Sequence, residues 1–372
     1  MKNPFIYGKI VSKDDFADRR KEIELLKDAI LSRQNVIIYS PRRYGKSSLV
    51  YNVIQDLDIT SIWMDCYGIV SKKEFAEEMV SKVIQNWKSK RILETMKRLF
   101  KSVRPRIKIG ETIEVEFSIE EEDKAFEESL ELPQKLAEHS KEGVVVVFDE
   151  FQEITKLGSD VLAKMRSAFQ RHMNVCYIFI GSKRGIMERI FRSGLSPFYN
   201  FGIHVILNKI PKKDFKEFIY KKFKNSGIAI YDDAIDEILE ITECHPYYTQ
   251  MLCHRLWFKA FMDKRDVKID DVKETVEEVI LEQEDSYMMI WDELTLSQRK
   301  MLIAIAKEEK DFYSVEFLRK YRFKRASNVQ TAIKGLMKRE IIFKIRNKYE
   351  ISDPFFKLWI LQNIAKESSG RG

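Results

Sequence analysis

Two short stretches of this 372-residue chain gather side chains that could do chemistry. In the first, Ser40-Pro41-Arg42-Arg43-Tyr44-Gly45-Lys46-Ser47-Ser48 lies between the apolar run Val36–Tyr39 and a helical pattern. A strand, a tight turn and a helix N-terminus together aim backbone N–H groups at phosphate. Gly45 permits close approach of the backbone to that phosphate. Lys46 is placed to reach β- and γ-phosphates, and Ser47 offers a hydroxyl to Mg2+. In the second stretch, the run Val144–Phe148 ends in Asp149-Glu150. A hydrophobic strand capped by two acids is the Walker B arrangement. Asp149 then holds the Mg2+ shell and Glu150 polarises the attacking water as general base. In this order and at this separation, the two stretches predict a site for Mg-ATP. The first departs from the strict P-loop string at one position, where Ser40 replaces the usual glycine.

Other residues qualify as accessories to this site. Ile178–Ile180 leads into Gly181-Ser182, and Ser182 is a candidate for sensing the γ-phosphate, set against an ordinary strand exit. Asp65 closes a strand and either orients Glu150 or, the favoured reading, solvates a strand end. Arg42 and Arg43 add positive charge to the loop or face solvent. Arg166, Arg171, Arg189 and Arg192 are candidates to reach a neighbouring subunit's nucleotide, although surface cations of this kind are commoner.

The elements that must position these residues are readable from apolar patterning. Five runs, at 36–39, 61–64, 144–148, 177–180 and 204–207, are apolar without alternation, as suits strands covered on both faces. Helical patterns fall between them at about 46–57, 72–100, 123–139, 158–171 and 184–193. Strands alternating with helices predict a parallel sheet, an α/β fold of the P-loop type. One stretch, 107–119, alternates with period two around Gly110-Glu111 and predicts a β-hairpin inserted near 105–120. The expected organisation is a core over 1–210, a helical segment over 211–294 and a third unit over 295–372. That third unit has helices at about 297–307, 314–320 and 327–339. Strands Ile341–Ile345 and Lys348–Ile351 follow, joined at Arg346-Asn347, which is the pattern of a winged helix-turn-helix.

Charge is unevenly placed. Residues 297–372 carry 18 Lys+Arg against 8 Asp+Glu, whereas residues 1–296 carry 47 against 50. Positive charge concentrated in the last fifth points to a polyanion partner or to a solvated basic surface. The expected recognition helix and wing bear Arg325, Asn328, Gln330, Thr331, Lys334, Lys338, Arg339, Lys344, Arg346 and Lys348. Of these, Arg325, Asn328, Gln330, Lys334, Arg346 and Lys348 are the candidates for contact with double-stranded DNA, because amides and guanidinium groups read base edges and cations hold phosphates. A protein-docking role for the same module stays open.

With these motifs in place, the chain resembles the archaeal ATPase family, a branch of the AAA+-like P-loop ATPases related to the signal-transduction ATPases with numerous domains. Phe16–Ile23 resembles the family's F-V-G-R-E-x-E-L box, with Asp18 at the glycine and Arg20 at the acid. Ser40–Leu49 resembles G-P-R-R-x-G-K-S/T-S-L, and Asp149–Gln152 matches D-E-F-Q. Cys244–Gln250 resembles G-x-P-Y-Y-x-Q with Cys244 at the glycine, and Asp353–Trp359 matches D-P-x-x-x-x-W. The resemblance implies an AAA+-like core, a helical lid and a C-terminal winged-helix domain. It places Arg19 beside the adenine and Pro246 near the base or ribose.

Composition excludes some other classes. The longest uninterrupted apolar runs, Val175–Ile180 and Met301–Ala306, are too short to cross a bilayer, as is Val144–Phe148, and Met1–Phe16 lacks the apolar core of a signal peptide. The expectation is a cytoplasmic protein without membrane contact, and its four cysteines, with no CxxC pair, fit reduced thiols. Cys244-His245 and Cys253-His254 look like metal ligands. On a helix opened by Pro246 they would lie two turns, on the order of 10 Å, apart, too far to converge on one ion. Three functional readings remain: an ATPase coupling hydrolysis to conformational change and to DNA or a partner protein, a non-hydrolysing nucleotide switch or scaffold, and a DNA-binding regulator with a vestigial P-loop. An oligomer is compatible with each.

Overall fold

The computed structural model describes every residue except 1, 12–14, 87–99, 101–102, 104, 110–112, 140–142, 346–347 and 370–372. The chain separates into two compact units. One is Ile10–Asn208, and the other joins Met1–Lys9 to Lys209–Gly372.

The first unit is built on a parallel five-stranded sheet. Its strands are β1 (Val36–Tyr39), β2 (Ser61–Asp65), β5 (Val144–Asp149), β6 (Val175–Gly181) and β7 (Ile203–Ile206), in the order β2-β5-β6-β1-β7. All four pairings are parallel. The three inner strands are apolar on both faces because both faces are covered. Side chains alternate across a strand. Val36, Ile38, Val145, Val147, Ile178 and Ile180 join a core with α1 (Arg20–Leu31) and α2 (Lys46–Leu57). Ile37, Tyr39, Val146, Phe148, Tyr177 and Phe179 enter the opposite core. That second core takes in α3 (Lys72–Asn86), α4 (Glu122–Leu130), α5 (Leu132–Ala137), α6 (Val161–Phe169) and α7 (Arg184–Arg192). The expected hairpin is β3 (Arg106–Ile109) and β4 (Ile113–Glu116), antiparallel, with Arg106 opposite Glu116 and Lys108 opposite Glu114. It ends sooner than its alternation suggested, because Phe117 turns into the core and Ile119 starts a short 3-10 turn, exposed. Its turn at Gly110-Glu111 lies outside the described residues.

The second unit holds helices α8 (Lys212–Asn225), α9 (Asp232–Ile241), α10 (Pro246–Asp263), α11 (Ile269–Glu282) and α12 (Glu284–Asp292). Then come α13 (Leu296–Ala306), α14 (Val315–Lys320), α15 (Ala326–Lys338), the antiparallel pair β8 (Ile342–Ile345) and β9 (Lys348–Ile351), and α16 (Pro354–Ser369). Capping fixes the helix starts. Thr295 and Gln298 form a capping box on α13, and Ser314 accepts from the Phe317 N–H on α14. The first residues of the chain pack here. Phe5 is buried against Phe223, and the Ile6 N–H donates to Gln250 Oε1 over 3.3 Å. No helix among the described residues is long and apolar enough to cross a membrane.

Candidate nucleotide site and basic helix

The phosphate loop leaves β1 and closes onto α2, whose N-cap is Gly45 at φ 84°. Arg43, at φ 64°, is the other left-handed residue of the loop. Ser40 is not among the positive-φ residues, so nothing in the backbone there demands a glycine. This explains why the motif tolerates serine at its first position. Lys46 is buried, and its ammonium donates to the Ser40 and Pro41 carbonyls, each over 2.9 Å. The loop thereby curls around its own lysine. Arg42 and Arg43 are exposed, whereas the Tyr44 side chain is buried. Ser48 is buried and accepts from the Val11 N–H, which ties the segment before α1 to the helix behind the loop.

Strand order brings the second stretch alongside. β6 lies between β1 and β5, so Ser182 leaves the sheet between the phosphate loop and Asp149. Open parallel sheets bind ligands at the carboxyl ends of their strands. There the Ser47 hydroxyl donates to Asp149 Oδ2 over 2.7 Å, and the Glu150 N–H donates to Asp149 Oδ1 over 3.0 Å. Burial pushes the Asp149 carboxyl above its usual value and the neighbouring Glu150 charge adds to this, while Ser47 only partly offsets it. No cation among the described residues forms an ion pair with Asp149. Asp65 lies beside Asp149 in register and accepts from the Tyr67 N–H, in keeping with a solvated strand end.

Glu150 has φ 50°, a conformation a non-glycine residue adopts at a cost of about 1–2 kcal/mol. Its Oε2 accepts from two donors, the Ser182 hydroxyl at 2.6 Å and the Gln152 amide. The structure therefore places Ser182 on the candidate base. Gln152 was visible only as part of a motif string, and nothing in its type or spacing announced that contact.

Arg19 is buried. It donates to the Tyr44 carbonyl at 3.4 Å, to the Asn208 carbonyl at 2.5 Å and to Glu22 at 3.3 Å. It ties the phosphate loop to the end of its unit. Of the candidate arginines, Arg166 lies over Phe201, Arg171 pairs with Glu131, and Arg192 lies near the Tyr39 ring.

In the second unit, Pro246 opens α10, and the His245 ring accepts from the Tyr247 N–H. Glu243 and Cys244 both have positive φ, at 50° and 56°. Glu243 joins Lys209 and Lys357, and Lys209 and Lys357 also reach Glu350 and Glu308. Burial pushes the Glu243 carboxyl up, but the two lysines outweigh it and hold it below its usual value. The turn before α10 is thus bound to β9 and α16. Among the described residues, no three His, Cys, Asp or Glu form a cluster that would hold a metal.

On α15, Val329, Ala332, Ile333 and Leu336 form the buried face. Arg325, Asn328, Gln330, Thr331, Lys334 and Lys338 are exposed. No ion pair is found for Arg325, Lys334 or Lys338 among the described residues. Arg339 is instead engaged, pairing with Glu293 at 2.7 Å. Lys348 is exposed and lies 3.9 Å from Glu308. Arg346 lies outside the described residues.

A parallel sheet in this order, a loop wrapped on Lys46, and a hydroxyl-carboxylate pair at the adjoining strand ends define an AAA+-like P-loop ATPase fold, followed in sequence by a winged helix. The chain belongs to the family described as an ATPase domain predominantly from Archaea, whose model matches residues 16–252. A second model, a probable winged helix domain, matches residues 285–362. Among solved structures, the chain is similar to a Walker-type ATPase of Pyrococcus abyssi, with TM-score 0.65 and 18% identity over 94% of this chain and 97% of that one. It is also similar to the Aeropyrum pernix ORC1 protein, solved in complex with DNA, with TM-score 0.52 and 12% identity over 95% of each chain. At these identities the likeness is one of fold. A probable DNA polymerase III subunit delta of Aquifex aeolicus is 28% identical over 136 residues, 36% of this chain and 39% of that protein. The chain thus spans about two fifths of that curated relative.

Proposed function

We propose that this ATPase-family chain binds Mg-ATP on Ser40–Ser48, hydrolyses it with Glu150 as general base, and couples that cycle to double-stranded DNA through α15. The observation that carries the catalytic part is the 2.7 Å contact between Ser47 and Asp149. It brings one hydroxyl and one carboxylate together, hard oxygen donors of the kind Mg2+ takes when it also binds a nucleotide. Asp149 is a partly buried carboxylate that forms no ion pair among the described residues, which suits a divalent ion. Ser47 and Asp149 would hold the ion, and a bound Mg2+ would neutralise charge on the transferring phosphoryl group.

The chain's own groups supply the rest. The α2 N-terminus and the Lys46 ammonium favour anionic oxygens. Glu150, one residue beyond Asp149, takes the proton of the attacking water. On the other unit, exposed cations on α15 that form no ion pair among the described residues support binding to a polyanion, and Asn328 and Gln330 supply amides able to read base edges. Docking of a partner protein on the same module is the competing outcome.

The test combines binding and turnover on the full chain. Lys46→Ala is expected to lose ATP binding. Glu150→Gln is expected to bind ATP as wild type does while phosphate release falls to background. Wild type that binds ATP but releases no phosphate, with or without duplex DNA, would make the chain a non-hydrolysing switch.

A further inference from the structure

Gln152 is a buried amide without full compensation. It sits in the short 3-10 turn Phe151–Lys156 with 1% of its surface exposed. Its Nε2 donates to Glu150 Oε2, while its own Oε1 is buried with no hydrogen-bond partner. An unsatisfied buried carbonyl is destabilising, so an apolar side chain of similar volume would serve stability better. Packing does not call for the amide here. The turn is already anchored by Phe151, whose ring lies 4.6 Å from Phe179 and 5.6 Å from Phe191.

Gly181 supports the same reading. Its φ is not positive, so it is there for close approach. A Cβ at 181 would come within 2.6 Å of Gln152 Oε1 and 2.5 Å of Met187 Sδ. The amide is thus wedged between the end of β6 and Glu150. The Ser182 hydroxyl, one residue further on, reaches the same Glu150 oxygen at 2.6 Å. Two donors converge on Oε2. Among the described residues, Glu150 Oε1 receives none.

We propose that Gln152 is a positioning residue for Glu150: with Ser182 it occupies Oε2, so that Oε1 is the oxygen that accepts the proton of the attacking water. This rests on Glu150 being the general base. As the water oxygen bonds to the γ-phosphorus, its proton moves to Oε1, the bond to the leaving phosphate oxygen breaks, and ADP departs. A carboxylate oxygen that already accepts two hydrogen bonds is a weak proton acceptor, and two fixed donors hold the side chain in one rotamer before reaction.

The experiment uses the full chain and steady-state phosphate release. Gln152→Met keeps the buried volume and removes both the donor and the unpaired carbonyl. The expected result is kcat lower by roughly tenfold, KM and ATP affinity within about twofold of wild type, and a melting temperature equal or higher. Gly181→Ala, which displaces the amide without touching Glu150, is expected to lower kcat in the same way. Adding Ser182→Ala to Gln152→Met should cost less than the two single effects combined, because both act on one carboxylate. If wild type outpaces Glu150→Gln while Gln152→Met keeps wild-type kcat, the positioning role is wrong and the base assignment stands. A drop in Gln152→Met that merely follows lost ATP binding or lost stability also overturns it. Equal release from wild type and Glu150→Gln sinks the base assignment, and this role with it.

Discussion

Ser47 and Asp149 stand 102 residues apart in sequence, yet the hydroxyl of one donates to the carboxylate of the other over 2.7 Å. The contact depends on register. β1 and β5 are both paired to β6, and each ends at the same edge of the sheet. It places a carboxylate where burial opposes its charge, and the Ser47 hydroxyl, the Glu150 N–H and the more distant Lys46 charge offset that only in part.

That imbalance fixes the sign of a pH effect. The folded Asp149 carboxyl titrates above its ordinary value of 3.8. Between the unfolded and folded values the folded chain holds more protons, so stability falls as pH rises through that window, and the cost is complete above it. Asp149→Asn removes the cost. Nucleotide-free Asp149→Asn is expected to melt above wild type at about pH 7, the advantage fading as pH falls toward the ordinary carboxyl range. The same variant is expected to lose Mg-dependent phosphate release by roughly a hundredfold or more. Thermal unfolding across pH, paired with phosphate release, checks both. An Asn variant less stable than wild type at neutral pH would contradict the argument.

Arg19 gives a second expectation. Burial pulls its guanidinium below the usual range, with Glu22 and Asp18 opposing. Its partners include two backbone carbonyls, at Tyr44 in the phosphate loop and at Asn208. Arg19→Met keeps much of the packing and strands both carbonyls. Loss of charged hydrogen bonds of this kind is expected to cost roughly 2–3 kcal/mol. Denaturant unfolding reads that cost. ATP affinity is expected to fall as well, by about tenfold, because the loop loses a brace. Wild-type affinity in a destabilised variant would make the residue purely structural.

The sheet and the winged helix were legible because their signals are local. Apolar runs set β1, β5 and β6, and period 3.6 followed by period 2 set α15 with β8 and β9. The apolar runs before them and the helix start at Lys46 located the loop and the two acids, and the family strings agreed. Contacts that depend on side-chain reach across strands were not legible, such as Gln152 and Ser182 on Glu150, or Lys357 on Glu243. The three replaced glycines show the same limit, because a string records identity and not conformation. Ser40 sits where no positive φ is needed, while Asp18 and Cys244 keep φ at 50° and 56°.

Cys244 therefore holds a left-handed backbone with a side chain that disfavours it. Such a conformation costs an L-residue about 1–2 kcal/mol, and glycine gives part of that back through its greater freedom when unfolded. Cys244→Gly is expected to stabilise the chain by about 0.5–1 kcal/mol. Among the described residues its thiol makes only a long contact to the Leu239 carbonyl at 3.8 Å, so little else is lost. Denaturant midpoints of the two proteins decide the sign.

The last expectation concerns α15. Arg325 and Lys334 are exposed, and neither forms an ion pair among the described residues, whereas Arg339 on the same segment is held by Glu293. If α15 lies against a duplex, the first two neutralise phosphates or reach base edges and Arg339 does not. Each cation that releases a counterion contributes about 0.9 to the slope of log affinity against log salt. Lys334→Ala should therefore weaken duplex binding at every sequence and lower the slope by about 1. Arg325→Ala is expected to cost about 1–3 kcal/mol, with loss of sequence preference if it reads a base. Arg339→Ala should instead lower stability through Glu293 and leave the slope unchanged. A salt titration of the three variants on one duplex separates these outcomes. A flat salt response in wild type would move α15 to the protein-docking role.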